Sequence, residues 1–371
     1  MTYSDDVIGR ARVASDAALD EFYEVLKGVN AGALWTVAND IEPWFPQPKT
    51  VPALWKYRDL RPLVEQALGL VKADDAGRRV IMLVNPGKQD GSAVVGNVYT
   101  GLQIMGPGES MTAHRHMAAA LRFVHEGKGA WTVVDGQKLT VGPGDFAITP
   151  SGAFHEHGNE SDDTNVIWQD GLDIPLVNAM DAGFYQVHPK LYQDVDPVPN
   201  HSYLKYGVGQ LRPYGFEDSW SKRYSPLFAY PWEQVYDALH NVAKASPGSE
   251  CDGYIVEYSN PLTGGSVMPT LSAHMQMLLP GQATKAHRHT GSVVYTVAQG
   301  SGYSVIAGKR YDWTKGDIFC VPSWAWHEHV NLDPNEEAFL FSFNDFPVMR
   351  SLDFWREEIL RDNDGHQEIS E

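Results

Sequence analysis

Two stretches of this chain repeat one arrangement of glycine, proline and histidine, and a repeat of this length fixes the architecture before any single residue is interpreted. The first reads Gly108-Glu-Ser-Met-Thr-Ala-His114-Arg-His116, then Gly144-Asp-Phe-Ala-Ile-Thr-Pro150-Ser-Gly-Ala-Phe-His155-Glu-His157-Gly-Asn159. The second reads Gly281-Gln-Ala-Thr-Lys-Ala-His287-Arg-His289, then Gly316-Asp-Ile-Phe-Cys-Val-Pro322-Ser-Trp-Ala-Trp-His327-Glu-His329-Val-Asn331. His287 follows His114 by 173 residues, and His327 follows His155 by 172. One domain copied in tandem, with a slip of a single residue, accounts for both.

The texture around each copy is that of short strands. Apolar runs separated by glycine turns fill residues 93–175 and return over 255–347. Asp135-Gly136 between two such runs is a hairpin signal, and Ala307-Gly308 stands at the matching place. Many short strands at even spacing predict a mainly β chain of two barrels. Helical spacing is expected over 8–28 (Ala11, Ala14, Ala18, Phe22, Val25), near 60–71, near 232–244 and over 352–361. Arg79 to Val84 reads as a strand. The expected parts are an N-terminal segment (1–92), a first barrel (93–182), a connector (183–254), a second barrel (255–348) and a C-terminal helix and tail (349–371).

Composition narrows the function. Of 371 residues, 43% are hydrophobic and 20% charged, which describes a soluble globular chain. No apolar run is long enough for a membrane span. The net charge of −18 disfavours nucleic acid and anionic membrane, and it requires local positive charge wherever an anionic substrate binds. Cys251 and Cys320 are the only cysteines, and the N-terminus lacks the features of a signal peptide. Both observations lead to the expectation of a cytoplasmic protein.

In a strand, residues i and i+2 project to one side. His114 and His116 therefore point together, and His155 on a later strand completes a three-imidazole metal site; His287, His289 and His327 form a second candidate set. Pairs of structural histidines are the competing explanation, and they leave the shared Gly-x5-His-x-His frame unaccounted for. Counting by twos from His116 gives Ala118, Ala120 and Arg122, so Arg122 is expected to face inward. A buried arginine needs a partner. That partner is either a substrate carboxylate, met by a bidentate fork, or an internal acid, Asp170 or Glu156. His157 lies beside His155 by the same parity, as an acid/base candidate or a satisfied core histidine. In the second copy Tyr295 replaces Arg122 and Ser342 replaces Asp170, whereas Gln103 recurs as Gln276. Catalysis is therefore placed in the first copy.

The histidine frame resembles the cupin superfamily, and two copies make a bicupin: two jelly-roll barrels in tandem, with N-terminal and C-terminal helices. The usual cupin glutamate is missing, since Ala119, Ala120 and Leu121 hold its place in one copy and Ser292, Val293 and Val294 in the other. Three neutral imidazoles leave a divalent ion with its full charge and open positions for a chelating anion.

Further stretches resemble the gentisate/salicylate 1,2-dioxygenase family. They are Val51-Pro-Ala-Leu-Trp-Lys56, Arg78-Arg79, Asn85-Pro86-Gly87, Gly101-Leu-Gln103, Leu121-Arg122-Phe123-Val124, Trp131-Thr-Val-Val134, Asp170-Gly-Leu-Asp-Ile-Pro175 and Met268-Pro-Thr-Leu271. The resemblance implies Fe(II) on His114, His116 and His155, one per chain, with His287, His289 and His327 as a second candidate site. It implies Arg122 and Arg78 near a substrate carboxylate and His157 near a phenolic oxygen. It also puts Gln103, Asp170, Tyr99, Val80 and Gly101 in the pocket. The implied reaction inserts O2 between the carboxyl- and hydroxyl-bearing carbons of gentisate, a salicylate or a 5-substituted salicylate, in a homotetramer. Alternatives are 1-hydroxy-2-naphthoate as substrate, a non-catalytic metal-binding bicupin, and a manganese decarboxylase bicupin, which the missing glutamates disfavour.

Overall fold

The computed structural model describes residues 16–72, 78–209, 211–215 and 220–370. Residues up to Gln47 form one unit and the remainder another. In the first unit the helix Ala17–Gly28 starts at Asp16, whose carboxylate accepts a hydrogen bond from Leu19 N–H at 2.9 Å. Ala11 and Ala14, placed on this helix by their spacing, lie outside the described residues.

The second unit is built from strands. β1 (Ala53–Trp55), the helix Tyr57–Leu70 and β2 (Val80–Met82) come first. The first repeat gives β3 (Tyr99–Met105), β4 (His114–His116), β5 (Ala120–Glu126), β6 (Ala130–Val134), β7 (Gln137–Val141), β8 (Phe146–Thr149), β9 (His155–Asn159) and β10 (Val166–Leu172). β11 (Tyr185–Val187), β12 (Ala229–Tyr230) and the helix Trp232–Ala245 follow. The second repeat gives β13 (Tyr254–Glu257), β14 (Ser272–Leu278), β15 (His287–His289), β16 (Val293–Gln299), β17 (Ser301–Ile306), β18 (Lys309–Thr314), β19 (Ile318–Val321), β20 (His327–Asn331) and β21 (Ala338–Asn344), and β22 (Glu357–Ile359) is last.

Each repeat makes a six-stranded and a five-stranded sheet: β12-β8-β5-β10-β3-β2 with β11-β4-β9-β6-β7, then β1-β19-β16-β21-β14-β13 with β18-β17-β20-β15-β22. This is the expected bicupin. Asp135 and Gly136 both take positive φ, 45° and 81°, as a two-residue hairpin demands, and Ala307 and Gly308 repeat the turn at 50° and 76°. The segments outside the repeats supply edge strands. β1 pairs with β19 of the second barrel, whereas β2 pairs with β3 of the first. β11 and β12, from the connector, pair with β4 and β8.

One element differs from expectation. The last α-helix among the described residues is Phe346–Ser351, with Pro347 in its first turn, and residues 357–359 of the expected helix 352–361 form β22 instead, paired with β15. The short 352–361 stretch meets a strand with an open edge, and ladder pairing there outweighs helix propensity, a weak prior.

The two barrels share one hydrophobic core. Phe123 stacks on Phe341 with ring centroids 4.4 Å apart. Gly171 is glycine because a Cβ there would meet Phe343 Cε2 at 2.4 Å. Among the described residues no helix is long and apolar enough to cross a membrane.

Candidate metal centres and active site

His114 and His116 lie on β4, and β9 places His155 directly opposite His114 in the ladder. Their ligand nitrogens all lie within 4.8 Å of one another. Backbone carbonyls fix the rings: Nδ1 of His114 lies 3.0 Å from Thr112 O, that of His116 2.7 Å from Ala118 O, and that of His155 3.0 Å from Ala153 O. A carbonyl only accepts, so each Nδ1 carries the proton and each Nε2 keeps its lone pair. All three Nε2 atoms are buried and have no hydrogen-bond partner. Burial pushes His114 and His116 down to about 4, with Arg78 and Arg122 adding to it. Burial, then the two neighbouring histidines, carries His155 well below the ordinary histidine value. The three rings are therefore neutral at pH 7, the state in which imidazole binds metal. Three buried lone pairs facing one another are costly unless a cation sits among them, so this donor set fits a divalent transition metal.

The opposite sheet supplies the charged row. Arg122 on β5, Asp170 on β10 and Gly101 on β3 are neighbours in register. Arg122 faces inward as the strand parity required, but by another route. The chain leaves the five-stranded sheet after His116 and enters the six-stranded sheet at Ala120. Arg122 is partnered within the protein: Nε stands 3.0 Å from Asp170 Oδ1, and Nη1 donates to Thr149 Oγ1 at 2.7 Å. The two atoms of the ion pair are close without making an aligned hydrogen bond. Burial pushes the Asp170 carboxyl up, with Arg122 and Arg78 opposing. Glu156, the other acid considered for Arg122, instead accepts from Gln193 N–H at 3.0 Å.

His157 is fully enclosed. Its Nδ1 lies 2.6 Å from Thr132 Oγ1, and that hydroxyl donates to the Glu156 carbonyl at 3.1 Å. With its one proton so used, Thr132 accepts the Nδ1–H, and His157 Nε2 remains a buried, unpaired acceptor. Gln103 sits one row from Asp170, with Nε2 on Met111 Sδ and Oε1 unpaired. Trp168, also on that row, has an unpaired buried Nε1, and its ring lies 6.0 Å from the Arg122 guanidinium carbon. The first barrel thus concentrates unsatisfied polar atoms in one interior, where a native fold ordinarily leaves few.

The remaining expected residues fall at the rim or beneath it. Arg78 lines a cavity of about 210 Å³ with His116, Ala118, Leu172, Phe184 and Tyr185. Tyr99 packs against Ala118, Ala120 and Leu172, and burial pushes its phenol up to about 12. Val80 pairs with Gln103. Gly101 has a packing reason to be glycine, since a Cβ would lie 2.6 Å from Val80 Cγ1. Sequence reading missed Trp168, which its parity with Asp170 marks, and Tyr185, whose ring stacks on His114 at 5.4 Å. A cavity of about 520 Å³ lined by Tyr57, Arg61, His125, Trp232 and Lys315 contains neither triad.

The second triad is assembled likewise, with His287 opposite His327. Nδ1 of His289 and of His327 each lie 3.0 Å from a backbone carbonyl, of Gly291 and Ala325. The facing row differs throughout: Tyr295, Ser342 and His274 stand in register where the first barrel has Arg122, Asp170 and Gly101.

The cupin domain model matches residues 101–175 and 274–343. The chain is 38% identical to a gentisate 1,2-dioxygenase from Aquipseudomonas alcaligenes over 91% of its length and 95% of that protein. It is 37% identical to a 5-aminosalicylate 1,2-dioxygenase from Comamonas sp over 95% of its length and 93% of that protein. Its fold superposes on a crystal structure of salicylate 1,2-dioxygenase from Pseudoaminobacter salicylatoxidans with gentisate, at a TM-score of 0.88 and 33% identity, covering 96% of this chain and 98% of that one.

Proposed function

The chain belongs to the gentisate and salicylate 1,2-dioxygenase family of ring-cleaving bicupins, and from that premise we propose that its first barrel cleaves a 2-hydroxybenzoate with Fe(II) held by His114, His116 and His155. The observation that carries this is the meeting of three unpaired, neutral Nε2 atoms with a buried arginine in one interior. Fe(II) bound there would supply a Lewis acid and one-electron centre that brings a chelating hydroxy acid and O2 together. Both oxygen atoms enter the ring-opened product, so no outside reductant is needed.

The protein's own residues do the rest. Arg122, already fixed by Asp170 and Thr149, presents a cation that needs no reorganisation when the substrate carboxylate arrives. Its Nε–H makes no aligned hydrogen bond to Asp170 and so remains a donor for that carboxylate. Arg78 adds positive charge at the mouth of an otherwise acidic protein. His157 Nε2, an acceptor with no partner, takes the proton of the substrate hydroxyl. Trp168 and Gln103 wall the pocket. Assembly as a homotetramer follows from the same resemblance, and sedimentation of the purified chain tests it; the two free, buried cysteines suit the reducing cytoplasm.

The test is anaerobic loading with Fe(II), then oxygen uptake with gentisate, salicylate, 5-substituted salicylates and 1-hydroxy-2-naphthoate. Uptake accompanied by a ring-opened chromophore is expected with at least one of the monocyclic acids. Uptake with the naphthoate alone would move the substrate to the bicyclic class. Bound iron without uptake on any of them would overturn ring cleavage.

A further inference from the structure

The second triad differs from the first in what surrounds it. His287 Nδ1 has no backbone carbonyl partner, and the Glu357 carboxylate stands 3.6 Å away. On the other edge of the same ring, Nε2 lies 3.8 Å from Asp252 Oδ1. The Asp252 carboxylate is held by a hydrogen bond, and Glu357 is placed by its backbone. Asp252 Oδ2 accepts from Ser249 Oγ at 2.9 Å, and its carbonyl accepts from Gln276 Nε2 at 2.8 Å. Glu357 is pinned by β22, in register with His289. His327, fully buried, turns an unpaired Nε2 toward the same centre.

Comparison of the two barrels gives these acids their meaning. Arg78 stands two residues before Val80, the partner of Gln103; Asp252 stands three residues before Ile255, the partner of Gln276. The mouth of one barrel thus carries an arginine where the mouth of the other carries an aspartate. Arg122 is replaced by Tyr295, stacked on Phe319 at 4.9 Å. His274 stands at the register position that Gly101 holds in the first barrel. Arg350 lines the second cavity, but its guanidinium carbon lies over the Trp355 ring at 4.8 Å.

We propose that His287, His289 and His327, joined by the carboxylate of Asp252 as a fourth ligand, hold a second divalent cation that binds no aromatic acid, with Glu357 orienting His287 through its Nδ1–H. The logic is charge balance. In the first barrel a divalent ion keeps its full charge and needs an anionic substrate. In the second, the protein's own carboxylates neutralise the ion, and an incoming carboxylate meets like charge. A carboxylate on the distal nitrogen of a metal-bound histidine is the usual second support of such a site. The ion then fastens three distant pieces of chain: the turn at 249–253, the histidine strands and β22.

The proposal uses the bicupin triad and does not depend on ring cleavage in the first barrel. The probe is Fe(II) alone under anaerobic conditions, counted per chain, with thermal melting as a second readout. The unaltered chain is expected to bind two equivalents. A His114→Ala/His155→Ala variant is expected to keep one, to melt higher with it, and to consume no O2 with gentisate. Asp252→Asn should weaken the second equivalent about 10- to 100-fold in chelator competition, and Glu357→Gln by about tenfold, with gentisate turnover within twofold of the unaltered enzyme. A single equivalent in an active unaltered chain would overturn the second site while leaving the dioxygenase reading intact. Full affinity in Asp252→Asn would overturn the fourth ligand. Oxygen consumption by the double variant would overturn the exclusion of aromatic acids.

Discussion

The two barrels carry the same histidines on the same strands, and they diverge in the row that faces them. Across from the first triad stand Arg122, Asp170 and Gly101; across from the second stand Tyr295, Ser342 and His274. The first row holds a buried ion pair, and the second holds no charged side chain. Burial pushes His274 down to about 4, so it adds no charge at pH 7. A triad therefore marks where a metal can bind, and the opposite sheet decides what that metal can meet. Both rows are one residue wide and sit on the same strands of the repeated fold, so the residues that face a triad differ here without a difference in fold.

The sharpest way to break this division of labour is to remove one histidine from each barrel. His155→Ala should abolish iron retention at the first site and lower oxygen uptake by at least about a thousandfold. His327→Ala should leave uptake within about twofold. Equal losses would show that both barrels turn over substrate. A finer test exchanges the facing row. Arg122→Ala should lower kcat/KM by about a hundredfold, in keeping with a truncated buried charge pair, while iron stays bound; Tyr295→Phe should change neither. Loss of iron in Arg122→Ala would assign that residue to the metal site instead of the substrate.

The smallest expected effect concerns acid stability. His125, in the first barrel, has Ala298 at the matching place in the second. Burial pushes His125 down from 6.5 to about 4. The unfolded chain takes up this proton first as pH falls, so its contribution is complete above 6.5 and is lost on descending toward 4. His125→Gln should flatten that part of the curve, read as a smaller fall in melting temperature between pH 7 and pH 4.5. An unchanged fall would place the acid sensitivity in other groups.

Much of this was legible in the residues themselves. The repeat, both triads and the inward face of Arg122 came from spacing, because ladders impose a period of two and a duplicated domain preserves it. The route to Arg122 was misjudged, since a straight count cannot see the chain change sheets between His116 and Ala120. Asp170 was one of two internal acids the sequence offered it beside a substrate carboxylate, and cross-strand register decides between those acids. Trp168, Tyr185 and Asp252 were overlooked. Trp168 shares the strand parity of Asp170 and was readable from it, whereas Tyr185 and Asp252 reach their sites from a strand and a turn outside the histidine motifs, and only folding brings them near. The misplaced C-terminal helix failed for a like reason: Glu357–Ile359 is a strand because β15 offers it an edge.

The edge strand Ala53–Trp55 has a consequence for how such a chain is made. Its partners are Ile318 to Cys320, so it leaves the ribosome long before they exist. The first barrel, whose sheets this strand does not join, can close during synthesis. Ala53–Trp55 must wait, unpaired, until nearly the whole polypeptide has emerged. Pairing over so long a sequence separation is slow, and an unpaired edge invites the wrong neighbour meanwhile. Growth conditions that slow translation, or a chaperone that shields a short apolar edge, would therefore act on the yield of this protein through three residues that touch neither metal nor substrate.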